Sequence, residues 1–241
     1  ILAQTGFGKS HLVSVLIEEL LDRPLVYGRP AVIVIDPHGE YSGFGDDENY
    51  ITKTKVFNQK NISIATNNLS ERLISQFQPR TTDVAKRELR KMIKGMWEKH
   101  KSYDMRELIE AIDSSEINDK TKYPLMSWLD ELDDMGLFTK TNSPTIEDLA
   151  KEGQLTVLDL SDFTQINQKQ IIVNYFTNKL FNARRTGKIP PFVLIVEEAH
   201  QFAPEQEDRS RAISRNVVET IAREGRKFNA CLVLVSQRPV Q

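Results

Sequence analysis

The chain has 241 residues, 39% hydrophobic and 27% charged, with a formal net charge of −2. This is the composition of a soluble globular protein, large enough for one α/β core or a core with an insertion. No apolar run approaches bilayer thickness and no signal peptide opens the chain, so a cytoplasmic protein without membrane contact is expected. With so small a net charge, any nucleic-acid surface must be a local patch or arise in an assembled ring. Cys231 is the single cysteine, which excludes a disulfide within the chain and a cysteine zinc cluster; a buried strand thiol is expected within "ACLVLVSQ".

The opening "AQTGFGKS" fits the phosphate-binding pattern G-x-x-x-x-G-K-[ST], except that Ala3 replaces the first glycine. Gly6 and Gly8 fall in the tight part of such a loop, where a side chain would block phosphate or φ must be positive. An alanine methyl nearer the strand is tolerable if φ stays negative. Lys9 would reach the β- and γ-phosphates, and the Ser10 hydroxyl would sit on Mg²⁺. Thr5, Gly6, Phe7, Gly8, Lys9, Ser10 and His11 together form the expected nucleotide-binding segment. A helix follows directly, with Leu12, Leu16 and Leu20 beside Val13, Ile17 and Leu21 in a wide apolar stripe.

"RPAVIVIDPHGEY" is a β-branched run ending in turn residues, as expected of a strand buried on both faces. Asp36, His38 and Glu40 cap it; Asp36 could orient water or metal, and His38 reads as a turn residue. Residues 69–150 lack strong strand signals and read as a helical insertion dividing the core into 1–68 and 151–241. Within it Lys86, Arg87, Arg90, Lys91, Lys94, Lys99 and Lys101 outnumber Glu88 and Glu98. They span several helix faces, so a solvated surface is expected rather than a DNA-facing strip, with Met92, Met96 and Trp97 toward a core.

Strands are expected at 155–161, 192–198 and 230–237, with helices at about 167–185 and across "SRAISRNVVETIAREGRKF". Strands alternating with helices argue for a mostly parallel sheet covered on both faces, the α/β class of P-loop NTPases with a RecA-like arrangement. "FVLIVEEAH" delivers two acids at a strand's carboxyl end, beside the loop. Glu197 would hold the metal through water, and Glu198 would polarise the attacking water. Gln237 ends the next strand, where an amide could sense the γ-phosphate. Arg223, Arg226 and Lys227 precede that strand, and a phosphoryl-transfer site gains from an arginine that offsets transition-state charge.

Taken together, "AQTGFGKSHLV", "VIVIDPHGEY", "VEEAHQFAP" and "IAREGRKFNACLVLVSQRP" resemble the ATPase domain of the HerA family, in the FtsK–HerA branch of P-loop ATPases. The resemblance covers the core at both ends of the chain; the helical middle matches only in character. It implies an ATP- and Mg²⁺-dependent hexameric motor around double-stranded DNA, working with a nuclease such as NurA in end resection or with another effector in phage defence. It implies Lys9 and Ser10 as the Walker A pair, Glu197 and Glu198 as the Walker B acids and Gln237 as sensor. Arg223 would be the arginine finger reaching the neighbouring subunit, with Arg226 second. Ala3 and Glu197 depart from the commonest spelling, since aspartate is more usual at the first acid. Family members carry a small β-barrel before the loop and more chain after "SQRP", so an ATPase core without its flanks is expected. A nucleotide-gated scaffold that activates an effector is the competing class, and a conjugation ATPase at a membrane is a third.

Overall fold

The computed structural model describes residues 1, 8–77, 82–204 and 212–237. In chain order these form α1 (Lys9–Asp22), β1 (Ala31–Asp36) and β2 (Thr54–Phe57), then β3 (Ile64–Ala65), α2 (Glu71–Phe77), α3 (Asp83–His100), α4 (Met105–Asp113), α5 (Asp119–Asp133) and β4 (Phe138–Thr139). The chain continues through α6 (Ile146–Leu149), β5 (Leu155–Asp159), α7 (Ile166–Arg185), β6 (Phe192–Val196), α8 (Arg215–Glu224) and β7 (Ala230–Leu234). Two compact units result, one of residues 1–61 and 144–241 and one of residues 62–143. No helix among the described residues is long and apolar enough to cross a membrane.

The first unit is built on a sheet of order β2-β5-β1-β6-β7 among the described residues, and every neighbouring pair is parallel. This is the expected α/β class. In β1 all six residues of "AVIVID" are buried, so both faces of the central strand are covered. Val32 and Val34 share one face with Leu155 and Val157 of β5 and Ile195 of β6, and α1 packs there through Val13, Ile17 and Leu21. Each such fully buried aliphatic contributes roughly 1.5–3 kcal/mol. Parallel strands need crossovers, and α7 carries the chain from β5 past β1 to β6 while α8 carries it from β6 to its neighbour β7. The backbone of Ile1 also meets this sheet: its N–H donates to Leu234 O at 2.8 Å and its carbonyl accepts from Ser236 N–H at 3.2 Å. Ile1 therefore lies beside β7, and β7 lies between it and the acid-bearing β6.

Two expectations about burial in this unit are corrected. Leu12 is 54% exposed, so the α1 stripe is Val13, Ile17 and Leu21, with Leu20 packed partly against it. Cys231 is exposed rather than buried. β7 is the last strand in that sheet order, and Cys231 and Leu234, three residues apart and so on opposite faces of it, are both exposed. Gly225, between α8 and β7, marks a close approach: a Cβ there would collide with the carbonyl oxygen of Ala230.

In the second unit, β3 and β4 pair in parallel, and a bridge from Ser63 to Ser143 joins its two ends. Local capping explains the helix starts. Thr82 accepts from Ala85 N–H before α3, Asp104 and Glu107 form a capping box at α4, and Asn118 accepts from Lys120 N–H before α5. Leu89, Met105, Leu108, Ile112 and Leu129 are fully buried. The basic residues of α3 mostly make exposed ion pairs, Arg90 with Glu71 at 2.9 Å and Lys91 with Glu88 at 3.1 Å among them. Trp97 is not directed to a core but is 53% exposed, because Ala85, Leu89 and Met96 define the inner face of α3.

Candidate active site

α1 begins at the lysine of the phosphate pattern. Gly8 stands at its N-cap with φ 75° and ψ 20°, in the left-handed region that glycine reaches without strain. Its carbonyl accepts from Leu12 N–H at 2.9 Å, leaving the first N–H groups of the helix and the positive end of its dipole for an anion. Gly8, Lys9, Ser10 and His11 line a cavity of about 170 Å³. Thr5, Gly6 and Phe7, with Ala3, lie outside the described residues.

The remaining walls come from segments far apart in sequence. Glu197 and Glu198 follow β6, Gln237 follows β7, and Asp36, His38 and Glu40 occupy the end of β1 and its turn. All strands of a parallel sheet open their carboxyl ends at one edge, which is why these segments converge. Lys9 and both glutamates are buried.

Glu198 adopts φ 47° and ψ 46°, a left-handed conformation costing a non-glycine residue on the order of 1–3 kcal/mol. The turn is held by Ala199 N–H donating to Val235 O at 2.9 Å. Its side chain is held at both oxygens: Gln237 Nε2 donates to Oε1 at 2.8 Å, and His200 Nδ1 lies 3.1 Å from Oε2. His200 Nδ1 is also 3.2 Å from Ser236 Oγ. Glu198 is therefore a braced carboxylate at the pocket wall.

Glu197 is placed differently. Its Oε1 accepts from the hydroxyl of Tyr41, a fully buried side chain. Burial pushes the Glu197 carboxyl above its ordinary range; the Tyr41 hydrogen bond opposes that, and the nearby Glu40 and Glu198 charges add to it. Burial likewise pushes the Tyr41 hydroxyl up, with the Glu197 hydrogen bond and charge adding to it. Asp36 engages both its oxygens with the backbone of its own turn: Oδ1 accepts from His38 and Gly39 N–H at 3.2 and 2.9 Å, and Oδ2 from Tyr41 N–H at 2.8 Å. Burial raises its carboxyl and these donors pull it back. Asp36 thus organises the turn that delivers Tyr41.

Tyr41 and His200 are the residues that sequence reasoning passed over. Both lay inside quoted motifs, Tyr41 at the end of "DPHGEY" and His200 at the end of "EEAH". A polar-tipped aromatic directly after a strand-end turn was the available signal. The structure brings Gly8, Lys9, Ser10, His11, Glu197, Glu198 and Gln237 together but not Arg223 or Arg226. Both arginines are exposed. Arg226 borders a groove with Phe192 and Ala230, at the amino ends of β6 and β7, opposite the edge that holds the pocket.

The family described as "Helicase HerA, central domain" matches residues 1–180. The probable helicase MJ1565 of Methanocaldococcus jannaschii is 29% identical over 261 residues, covering 99% of this chain and 48% of the relative. The DNA double-strand break repair helicase HerA of Sulfurisphaera tokodaii is 28% identical over 269 residues, covering 99% and 50%. The chain thus spans about half the length of these curated relatives. Among solved structures, VirB4 of Thermoanaerobacter pseudethanolicus superposes with a TM-score of 0.71 at 20% identity, over 98% of this chain and 69% of that one, and so shares the fold. The match over most of the chain places it in a family: it belongs to the HerA helicase central-domain family.

Proposed function

We propose that this chain is the ATP-hydrolysing core of a HerA-type motor that translocates on double-stranded DNA. The observation that carries the reading is the single pocket shared by the α1 N-terminus, the two acids after β6 and the amide after β7. The helix N-terminus and Lys9 bind and orient the phosphates, and Glu198 accepts the proton of the attacking water under the aim of Gln237. Among the described residues no three His, Cys, Asp or Glu side chains gather into a metal cage. That suits Mg²⁺, which keeps several waters and is bound by few protein groups plus substrate phosphates. Ser10 and Glu197 would hold it. Bound there, it would supply Lewis-acid neutralisation of phosphate charge.

Arg223, with Arg226 second, serves the pocket of a neighbouring subunit in this reading, so turnover requires a homo-oligomer, taken here as a hexamer. Their absence from the chain's own pocket supports that assignment. The partner is a nuclease of NurA type or another effector, in DNA end processing or phage defence, in the cytoplasm. The relatives named as double-strand break repair helicases support the DNA-handling role.

Nucleotide binding and hydrolysis on Lys9→Ala and Glu198→Gln test this. Glu198→Gln is expected to keep ATP binding and lose roughly 10²–10⁴-fold in turnover, the usual contribution of a general base. Lys9→Ala is expected to lose both. A wild-type chain that binds ATP in assembled rings without turning it over would contradict the enzyme and favour the scaffold.

A further inference from the structure

The geometry points to Tyr41 as a positioning residue that ties the Ser10 hydroxyl to the Glu197 carboxylate and so fixes both groups for magnesium. This rests on the reading of the pocket as an ATP–magnesium site and assigns it a member from outside the phosphate loop and the strand acids. Tyr41 is fully buried, in the same apolar cluster as Val13 and Ile17 of α1 and Val34 of β1. Its hydroxyl donates to Glu197 Oε1 and lies close enough to the Ser10 side chain to interact with it. One phenolic hydroxyl has one donor and two acceptor lone pairs, so it can give its proton to Glu197 while taking that of Ser10. In that arrangement the Ser10 lone pairs and the second oxygen of Glu197 are left for a cation and its waters.

The brace is itself braced. Asp36 Oδ2 accepts from Tyr41 N–H at 2.8 Å, and its other oxygen holds the His38 and Gly39 N–H groups. The path from Asp36 through Tyr41 to Glu197 therefore runs from one buried carboxylate to another. It also accounts for the acid at 197. Where aspartate is more usual, the glutamate here is the length that meets the Tyr41 hydroxyl; an aspartate falls one methylene short.

The test follows binding of the fluorescent analogue mant-ATP to the full chain, in EDTA and as Mg²⁺ is titrated. Tyr41→Phe keeps the ring and removes the hydroxyl. It is expected to raise the Mg²⁺ needed for half-maximal effect about tenfold or more, as loss of an outer-shell partner does, and to leave binding in EDTA unchanged. Glu197→Asp is expected to act alike, with the double variant no worse than either, as for one coupled pair. A folded Tyr41→Phe with the wild-type Mg²⁺ requirement overturns the assignment. Should Tyr41→Phe fail to fold, Glu197→Asp decides, and a wild-type Mg²⁺ requirement there overturns it equally. Wild-type binding that is absent or indifferent to Mg²⁺ overturns the pocket reading itself, and the assignment with it.

Discussion

Gln237 Nε2 donates a hydrogen bond of 2.8 Å to Glu198 Oε1, joining the residue beyond β7 to the residue beyond β6. A carboxylate that takes a proton from water acts only when aimed, and misplacement by about 1 Å costs on the order of 10²-fold. Gln237→Ala is therefore expected to lower ATP turnover by about that factor while nucleotide affinity stays close to wild type. Steady-state hydrolysis beside equilibrium binding checks this. The double variant with Glu198→Gln should be no worse than Glu198→Gln alone, because the two side chains act as a unit.

Arg223 is exposed at the end of α8 and does not line the pocket of its own chain. If it completes a neighbour's site, Arg223→Ala and Lys9→Ala proteins should each be inactive alone and recover activity when mixed. Random assembly pairs an intact loop with an intact finger at about a quarter of interfaces, so recovery toward that fraction is expected. No recovery on mixing would return the finger to Arg226 or to another segment.

Asp36 accepts three backbone N–H groups with two oxygens. Asp36→Asn keeps the shape but turns one acceptor into a donor that faces N–H groups. Leaving a buried donor unsatisfied costs about 1–3 kcal/mol, and that loss is expected in urea unfolding. Unchanged stability would show that the turn is held by other contacts.

Asp148 offers a pH test away from the pocket. The Lys55 ammonium hydrogen-bonded to it, with Thr145 adding, holds its carboxyl below the usual aspartate range. A lowered folded-state pKa means fewer protons bound in the native state, so this stabilisation is present above the ordinary value near about 3.9 and is lost as pH falls through the lowered one. Both partners are partly exposed, so Asp148→Asn is expected to cost only roughly 0.2–1 kcal/mol at pH 7. The gap to wild type should close as unfolding is followed downward from pH 5. A gap independent of pH would assign the loss to packing instead.

The sequence made the phosphate loop and the apolar strands legible, because glycine spacing and β-branched runs are local signals. β1, β5, β6 and β7 announced themselves in this way. β2, "TKVF", did not, since only Val56 and Phe57 are apolar and the strand is partly exposed. The two-residue strands β3 and β4 are too short for any period. Burial was the less readable property. Leu12, Trp97 and Cys231 are as apolar as their buried neighbours, and which of them meets water is decided by what packs from elsewhere in the chain. The site shows the same division. Lys9, Ser10, Glu197, Glu198 and Gln237 stand in motifs, whereas the contact of Tyr41 with Glu197 depends on strand order and that of His200 with Glu198 on the left-handed turn at Glu198.

The most direct test of the account is ATP hydrolysis by the full chain with and without linear duplex DNA, run beside Lys9→Ala. A DNA motor predicts hydrolysis that rises strongly with duplex DNA and vanishes in the variant. Hydrolysis that depends on Lys9 but ignores DNA would contradict the translocase and leave a nucleotide-driven assembly in its place.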